Sequence, residues 1–418
     1  MGLISSLAVI PFEISLLSKL SYLHLSGNAV DNNPTHLSLK LKNPNLGTLI
    51  KNITTLETLS LQSVDMGYEL GNSLANLTSL KVVDLGGCGL YGPIPSSLGK
   101  LTKLSVLILD QNHFTGHIPS SIQNLTLLSH LLISRNQISG PIPSWFGNLT
   151  KLTLMNVNLN NLIGSIPSSL SKLKDLQLLD LSANSLSGAF ELDAFLKMRN
   201  MVVIDLGYNN ISLLVEERKF DPNTTISNLN FLSLASCNLS KFPKFIAHQT
   251  NLELLDLSHN QIYGQIPKDL MNSSLQSLEV IDLSNNLITG FQNHTSILPW
   301  SNLRAFYMQY NLLQGQLPIP PSSAIHYDVS NNILSGEIPS SICNLSSILV
   351  LDLSNNNFSG EFPLCSSSMI SDTMLVLNLR NNSFRGTIPF QCQQESELRM
   401  SQSISRETST TSDGLYES

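Results

Sequence analysis

A repeat of about 24 residues constrains the fold of this chain more than any other sequence feature. Its clearest copy runs from Leu252 to Pro267 and reads L-x-x-L-x-L-x-x-N-x-x-x-G-x-I-P. One copy is too short to enclose its own leucines, so successive copies must stack and share a core. The chain is therefore predicted to be an α/β solenoid. A parallel sheet should line its concave side, with short 3-10 turns and loops on the convex side.

Each copy has an extended part in which alternate residues face opposite ways. Leu255 and Leu257 should point into the core, whereas Asp256 should point outward with the rest of the strand face. Asn260 ends the strand, and its amide can bond backbone groups of the turn and the neighbouring coil. We call this repeat position the ladder. Pro267 is predicted to start a short helical turn, where its missing N–H is harmless.

Fifteen ladder positions define the array. They are Asn28, Val64, Cys88, Asn112, Asn136, Asn160, Asn184, Asn209, Cys237, Asn260, Asn286, Asn311, Asn332, Asn356 and Asn382. The spacing is 24 residues from Val64 to Asn184 and 21 to 28 afterwards. Irregular segments occur at 36–44 and 215–222. The domain prediction is one solenoid over residues 1–390, begun inside the array without caps at either end, and a Ser/Thr/Glu-rich disordered tail over 391–418.

Composition and charge exclude several classes of function. Charged residues make up 13% of the chain, against about 25% in an average domain. The net charge of −7 argues against a nucleic-acid partner. The sequence contains no apolar run long enough to span a membrane. No cofactor motif stands out either.

Several copies continue after the ladder with an L-x-G-x-I-P motif or a close variant. Examples are Leu90–Pro95, Phe114–Pro119, Ile138–Pro143 and Leu334–Pro339. With these motifs the chain resembles the plant-specific leucine-rich repeat. Three further stretches resemble the plant receptor-like proteins, which carry an extracellular repeat region, one membrane span and no kinase. They are Leu39–Pro44, Leu85–Leu90 and Leu375–Pro389.

This resemblance implies a horseshoe or superhelix on the extracellular side of the plasma membrane. It implies a peptide or protein ligand, defence or developmental signalling, and a partner receptor kinase as co-receptor. The alternatives are a secreted inhibitor of a cell-wall-degrading enzyme, similar to the polygalacturonase inhibitors, and an ectodomain fragment of a leucine-rich-repeat receptor kinase. The family's cysteine-paired cap, non-repeat island, acidic juxtamembrane stretch and membrane helix are not found here. A fragment or truncated product is therefore expected.

Motifs that could carry catalysis have simpler explanations. The G-x-G-x-x-G of Gly87–Gly92 is followed by a Pro-Ile-Pro segment and not by the helix that a nucleotide site needs. His113 and His117 are four residues apart but lie in a turn and an extended segment with no third ligand nearby. Seven aspartates recur on the outward strand positions, where a solvated face is the expected role. They are Asp84, Asp180, Asp205, Asp256, Asp282, Asp328 and Asp352. We expect no enzyme, no catalytic residue and no metal site.

The five cysteines fall into two groups. Cys88 and Cys237 occupy ladder positions, so they should be buried and inert. Cys343, Cys365 and Cys392 follow their ladder residues by 11, 9 and 10 positions and should stack on adjacent coils. A Cys343–Cys365 disulfide is reasonable if the Cα atoms approach within about 7 Å. Cys392 would then be the odd thiol.

Glycosylation sequons share one phase of the repeat. Five of them begin 12 residues after a ladder position: Asn76, Asn124, Asn148, Asn272 and Asn344. They should form one row away from the concave face, where glycans would leave the strand face free.

Two places on the strand face depart from the usual outward residues. Exposed aromatic residues and Arg beside apolar residues are typical of interface hot spots. We therefore predict ligand contacts at Ile108, Asp110, Gln111, His130, Leu132, Arg135, Leu154, Asn156, Asn158, Leu159, Tyr307, Gln309, Tyr310 and His326. Surface drift without function is the competing interpretation of these residues.

Overall fold

The computed structural model describes residues 9–28, 39–214, 226–271, 275–292, 296–363, 365, 374–386 and 397–399. The chain forms two compact units. The first consists of Met1–Leu239 and Pro243–Leu252, and the second of Ser240–Phe242 and Glu253–Ser418. Each is a leucine-rich-repeat solenoid, as the repeat predicts.

The described residues of the first unit contain nine parallel strands of three residues each, one just before each ladder position. They are Tyr22–His24, Thr58–Ser60, Val82–Asp84, Val106–Ile108, His130–Leu132, Leu154–Asn156, Leu178–Asp180, Val203–Asp205 and Phe231–Ser233. Neighbouring strands pair in register, leucine position opposite leucine position. Their central residue is buried in every strand. The predicted alternation of the strand is confirmed.

The second unit has the same front sheet, a name we use for these strands in either unit. Its strands are Leu254–Asp256, Val280–Asp282, Ala305–Tyr307, His326–Asp328, Val350–Asp352, Val376–Asn378 and Glu397–Arg399. Leu398 of the last strand is the Cα partner of Leu377. An open sheet edge offers free N–H and C=O groups for such pairing. The rest of 391–418 lies outside the described residues.

Ladder asparagines hold neighbouring coils together through their side-chain amides. The Nδ2 of Asn112 donates to the carbonyls of Leu85, Leu109 and Asp110 at 2.8, 3.0 and 3.0 Å. Its Oδ1 accepts from the backbone N–H groups of Cys88 and Leu90 at 3.1 and 2.9 Å. Each buried backbone group left unpaired would cost about 1–3 kcal/mol. A ladder asparagine is therefore a structural requirement of its coil.

A second parallel sheet follows the ladder, where the sequence predicted loops. We call it the side sheet. In the first unit it consists of Tyr91–Pro93, His113–Gly116, Gln137–Pro141, Asn161–Gly164, Ser185–Glu191 and Asn210–Leu214. In the second unit Tyr263–Ile266 pairs with Leu287–Phe291, and a four-stranded sheet contains Gln314–Gly315, Ile333–Gly336, Asn357–Gly360 and Ser383–Phe384. Buried residues such as Phe114 and Ile138 anchor these strands to the core.

Short helical turns close most coils. The 3-10 turns are Phe12–Leu16, Ser96–Lys100, Ser120–Asn124, Ser144–Asn148, Ser168–Lys172, Lys244–His248, Lys268–Met271 and Ser340–Asn344, and the α-helical turns are Leu46–Ile50 and Asp193–Leu196. Pro267 precedes its turn and does not begin it; its carbonyl accepts from Leu270 N–H at 3.0 Å. No helix in the described ranges has the length and apolar character needed to cross a membrane.

The two irregular segments predicted from the sequence fall partly outside the described residues. In the first, Lys40 forms isolated parallel bridges with Val9 and Asp65. Asn45 then caps the helical turn Leu46–Ile50, because its side chain accepts from Thr48 N–H. The second segment, 215–222, lies outside the described residues.

Candidate functional site

The outward side chains of the front sheet form what we call the strand face. The seven aspartates predicted to be solvated there are half-buried, and their Oδ1 atoms accept the backbone N–H two residues later at 2.9–3.2 Å. Burial also raises the pKa values of Asp180, Asp256 and Asp328 above the usual range. These carboxylates therefore stabilise the turn that leads to the ladder, and their role is structural.

The predicted contacts of the first unit lie on three adjacent coils. We call them the first cluster: Ile108, Asp110, Gln111, His130, Leu132, Arg135, Leu154, Asn156, Asn158 and Leu159. Ile108, Leu132 and Asn156 are Cα partners across neighbouring strands, as are His130 and Leu154. All ten side chains are exposed or half-exposed. The structure thus brings this set together on one surface.

Local hydrogen bonds orient the polar members of the first cluster. The Ser129 hydroxyl lies 2.8 Å from His130 Nδ1. Asp110 accepts from the backbone N–H of Ser134 on the next coil at 2.6 Å. Asn158 donates to Asp180 at 2.7 Å, but its own Oδ1 is buried and has no donor in the described part of the chain. The cluster therefore contains a hydrogen-bond acceptor, the Asn158 Oδ1 atom, that no described residue uses.

The second unit brings together the remaining predicted contacts, which we call the second cluster: Tyr307, Gln309, Tyr310 and His326. The rings of Tyr307 and His326 lie 5.0 Å apart on adjacent coils. Burial lowers the pKa of His326, so its neutral form is favoured. Tyr310 is 57% exposed. The Oε1 of Gln309, like that of Asn158, is buried without a donor among the described residues.

Backbone conformation is shared by one position of every coil. The residue just before each of the fifteen ladder positions has a positive φ, which costs a residue other than Gly, Asn or Asp about 1–2 kcal/mol. Arg135, Leu159 and Tyr310 have φ of 51°, 50° and 57° there, and Ser63 and Ala183 have 64° and 50°. The positive φ is therefore a property of the repeat, and it holds the exposed side chains of Arg135, Leu159 and Tyr310 at equivalent places on their coils.

Two bulky exposed residues at the same position, Tyr208 and His259, were missed in the sequence. Tyr208 also precedes its ladder residue, has a φ of 55° and is 52% exposed. Its coil looked ordinary because the outward positions Val203 and Asp205 are the usual residues. The signal that could have found Tyr208 is a bulky residue at the positive-φ position.

The histidine pair and the ladder cysteine Cys88 take separate places in the fold. His113 and His117 are exposed, and His113 begins a side-sheet strand. No group of three or more His, Cys, Asp or Glu residues suited to a metal occurs within the described ranges. Cys88 is fully buried, its thiol donates to the Leu61 carbonyl at 3.1 Å, and burial raises its pKa to about 12. This thiol takes over part of the ladder's bonding.

The predicted disulfide and sequons take positions that leave the strand face open. Cys343 and Cys365 are joined by a disulfide with their Cα atoms 5.3 Å apart; Cys392 lies outside the described residues. Four sequon asparagines are exposed, and three of them end a 3-10 turn: Asn76, Asn124, Asn148 and Asn344. Asn272 also lies outside the described residues.

Sequence comparison matches this repeat array to known families. The family model described as "Leucine-rich repeat region" matches residues 60–217, and the family model "Leucine Rich Repeat" matches residues 251–273, 328–345 and 347–369. The chain is 40% identical over 145 residues to receptor-like protein 7 of Arabidopsis thaliana, covering 35% of this chain and 15% of that protein. It is 37% identical over 184 residues to receptor-like protein 47 of the same plant, covering 39% and 23%.

The chain is a leucine-rich-repeat protein, and over part of its length it is similar to plant receptor-like proteins. The matched regions span less than a quarter of these relatives' length. Among solved structures, the chain is similar to the Arabidopsis receptor kinase HAESA, determined in complex with the peptide hormone IDA and the co-receptor SERK1. That similarity has a TM-score of 0.65 and 27% identity, and covers 92% of this chain and 70% of the other.

Proposed function

We propose that the chain is the ligand-recognition region of a plant receptor-like protein. It would bind an extended peptide or a protein segment along the strand face, with the two clusters as contacts. The observation that carries this proposal is the first cluster, which brings basic and apolar side chains such as His130, Leu132 and Arg135 together on three adjacent coils, exposed or half-exposed. This composition is typical of interface hot spots.

The signalling role follows by similarity to relatives. HAESA was solved with a peptide hormone and a co-receptor, and the curated relatives are named receptor-like proteins. We propose that this chain likewise works with a receptor kinase as co-receptor at the outer side of the plasma membrane, in defence or development. The proposal includes binding and no catalysis, since the aspartates of the strand face are engaged by their own backbone.

An extracellular location can be tested through glycosylation. Disulfides persist in oxidising compartments, and the exposed sequons are accessible to glycosylation in the secretory pathway. When the chain is secreted behind an added signal peptide, Asn76, Asn124, Asn148, Asn272 and Asn344 should carry glycans. Glycopeptide mass spectrometry that finds all five unmodified would remove the argument for secretion.

Binding to the strand face can be tested with a displayed library of random peptides. A peptide selected on the full chain should bind about tenfold more weakly, or worse, after Tyr307→Ala with Tyr310→Ala, or after Arg135→Ala with Asn156→Ala. The controls are Val203→Ala and Val350→Ala, which shorten ordinary outward residues in each unit. Equal losses from the controls and the cluster variants would rule out both clusters as the binding site.

A further inference from the structure

The coil from Asn311 to Asn332 is the shortest in the array at 21 residues. It passes through the described residues without a 3-10 turn, whereas the turns Lys268–Met271 and Ser340–Asn344 occur elsewhere in the same unit. Its residues Leu317–Pro320 are buried in place of the turn, and Ile319 forms an isolated parallel bridge with Ile297. The missing turn leaves a recess beside the side sheet.

This recess is a groove of about 640 Å³, within the size range of small-molecule sites. Its walls include Gln265, Phe291 and Gln314 from three side-sheet strands, together with Gln316 and Ser341. It lies among residues that follow the ladder, so it is separate from the strand face. The groove belongs wholly to the second unit.

The groove is neutral and rich in amides. Among the described residues that line it, none is ionisable. The side chains of Gln265, Gln314 and Gln316 are exposed. None of the three amides hydrogen-bonds to another described residue. Each offers a carbonyl acceptor next to an NH₂ donor. A partner with closely spaced hydroxyl groups could donate to and accept from these amides.

The groove also borders two sheet edges, because the described strands Leu287–Phe291 and Gln314–Gly315 belong to separate sheets and do not pair with each other. A peptide strand that added to either edge would use backbone groups and would leave the side-chain amides unused. These amides are exposed polar side chains of the groove, and the half-exposed ring of Phe291 adds an apolar surface beside them. Sugar rings present hydroxyl groups at their edges and C–H groups on their faces.

We propose that this groove binds a neutral oligosaccharide. The amides of Gln265, Gln314 and Gln316 would bond ring hydroxyls, and Phe291 would contact a sugar face. None of the described lining residues is charged, which favours a neutral saccharide, because an acidic one would bring carboxylates that no described cation in the wall could pair with. The site is independent of the peptide-binding role proposed for the strand face.

The test uses the full secreted chain with three probes: cellohexaose, mannohexaose and the hexamer of galacturonic acid. Binding is measured by saturation-transfer NMR and calorimetry. At least one neutral hexamer should bind, and the acidic hexamer should not. The double variant Gln314→Ala with Gln316→Ala should weaken binding about tenfold or more, because each lost hydrogen bond removes part of the affinity. Gln137→Ala, an exposed side-sheet glutamine of the first unit, should have no effect.

Several results would overturn the proposal. Failure of both neutral hexamers to bind is one, and equal binding of the acidic hexamer is another. A third is a double variant that binds the neutral hexamer as well as wild type does and has the wild-type circular dichroism spectrum, because the saccharide would then bind elsewhere. Phe291→Ala gives a second check, since it removes the apolar wall and leaves all three amides in place.

Discussion

The coil from Asn112 to Asn136 and the coil from Asn311 to Asn332 each enclose a core of the same kind, but the two coils differ in length. The first has 24 residues, the second 21. The longer coil contains the 3-10 turn Ser120–Asn124, whose Ile122 is buried. The shorter coil has no such turn within its described residues. It must therefore fill the space in another way.

Tyr327 provides that filling. It stands where the longer coil has Leu131, is completely buried, and stacks on Phe306 with ring centroids 5.7 Å apart. Its hydroxyl donates to the Pro318 carbonyl of the buried segment Leu317–Pro320. Burial raises its pKa far above the usual range. The front sheet and the ladder are thus the same in both coils, while the far side of a coil can be shorter if one larger side chain occupies the gap.

The largest effect is expected in the regular part of the array. Leu181 is fully buried between coils. Leu181→Asp would bury a charge without a partner and should lower the free energy of unfolding by about 3–5 kcal/mol. Leu181→Met keeps the volume and should cost less than about 1.5 kcal/mol. Thermal unfolding of Leu181→Asp at the wild-type temperature would contradict the assigned register.

A reciprocal pair of variants tests the idea that Tyr327 replaces the missing turn. Tyr327→Leu restores the usual residue but leaves a cavity and an unpaired Pro318 carbonyl, so it should cost about 2–4 kcal/mol. Leu131→Tyr should overpack the longer coil and cost about 1–3 kcal/mol. Denaturant titration measures both. A neutral Tyr327→Leu would show that the gap is filled by something else.

A smaller effect concerns pH. Burial raises the folded-state pKa of Asp256 and Asp328 above the ordinary value of 3.8. The folded protein therefore holds these protons more tightly than the unfolded chain, and this contribution is complete below pH 3.8 and lost as pH rises through the folded pKa. Asp256→Asn should gain stability relative to wild type between about pH 4 and about pH 7. The stability of Val350→Ala relative to wild type should not change with pH in this range. If Asp256→Asn instead lost stability relative to wild type as the pH rises, the predicted effect of burial on this carboxyl group would be contradicted.

Much of the fold could be predicted because the same residue types recur at the same positions of each repeat. The alternation of buried and outward residues around Leu255, and the hydrogen bonds of ladder asparagines such as Asn112, depend on these recurring positions. The side sheet was missed because its strands contain Gly and Pro, which locally indicate turns, and pair only once the coils are stacked. Tyr208 and the glutamine groove were missed for a related reason. Both depend on backbone conformation or coil length, which one residue pattern does not reveal.

The side chains of the strand-face clusters are not needed for folding and are available to a ligand, whereas the ladder asparagines are needed for folding. Tyr310 and Asn311 are neighbours that test this directly. Asn311 is buried, donates to the Leu283 and Met308 carbonyls at 2.9 and 3.1 Å, and accepts from Ile288 N–H. Tyr310 is exposed.

The measurement is the free energy of unfolding of two single variants by denaturant titration. Asn311→Ala should lose about 2–3 kcal/mol, because it leaves buried backbone groups unpaired. Tyr310→Ala should stay within about 0.5 kcal/mol of wild type. If Tyr310→Ala loses as much as Asn311→Ala, the second cluster is part of the fold's structural core, and the account of a free recognition face is wrong.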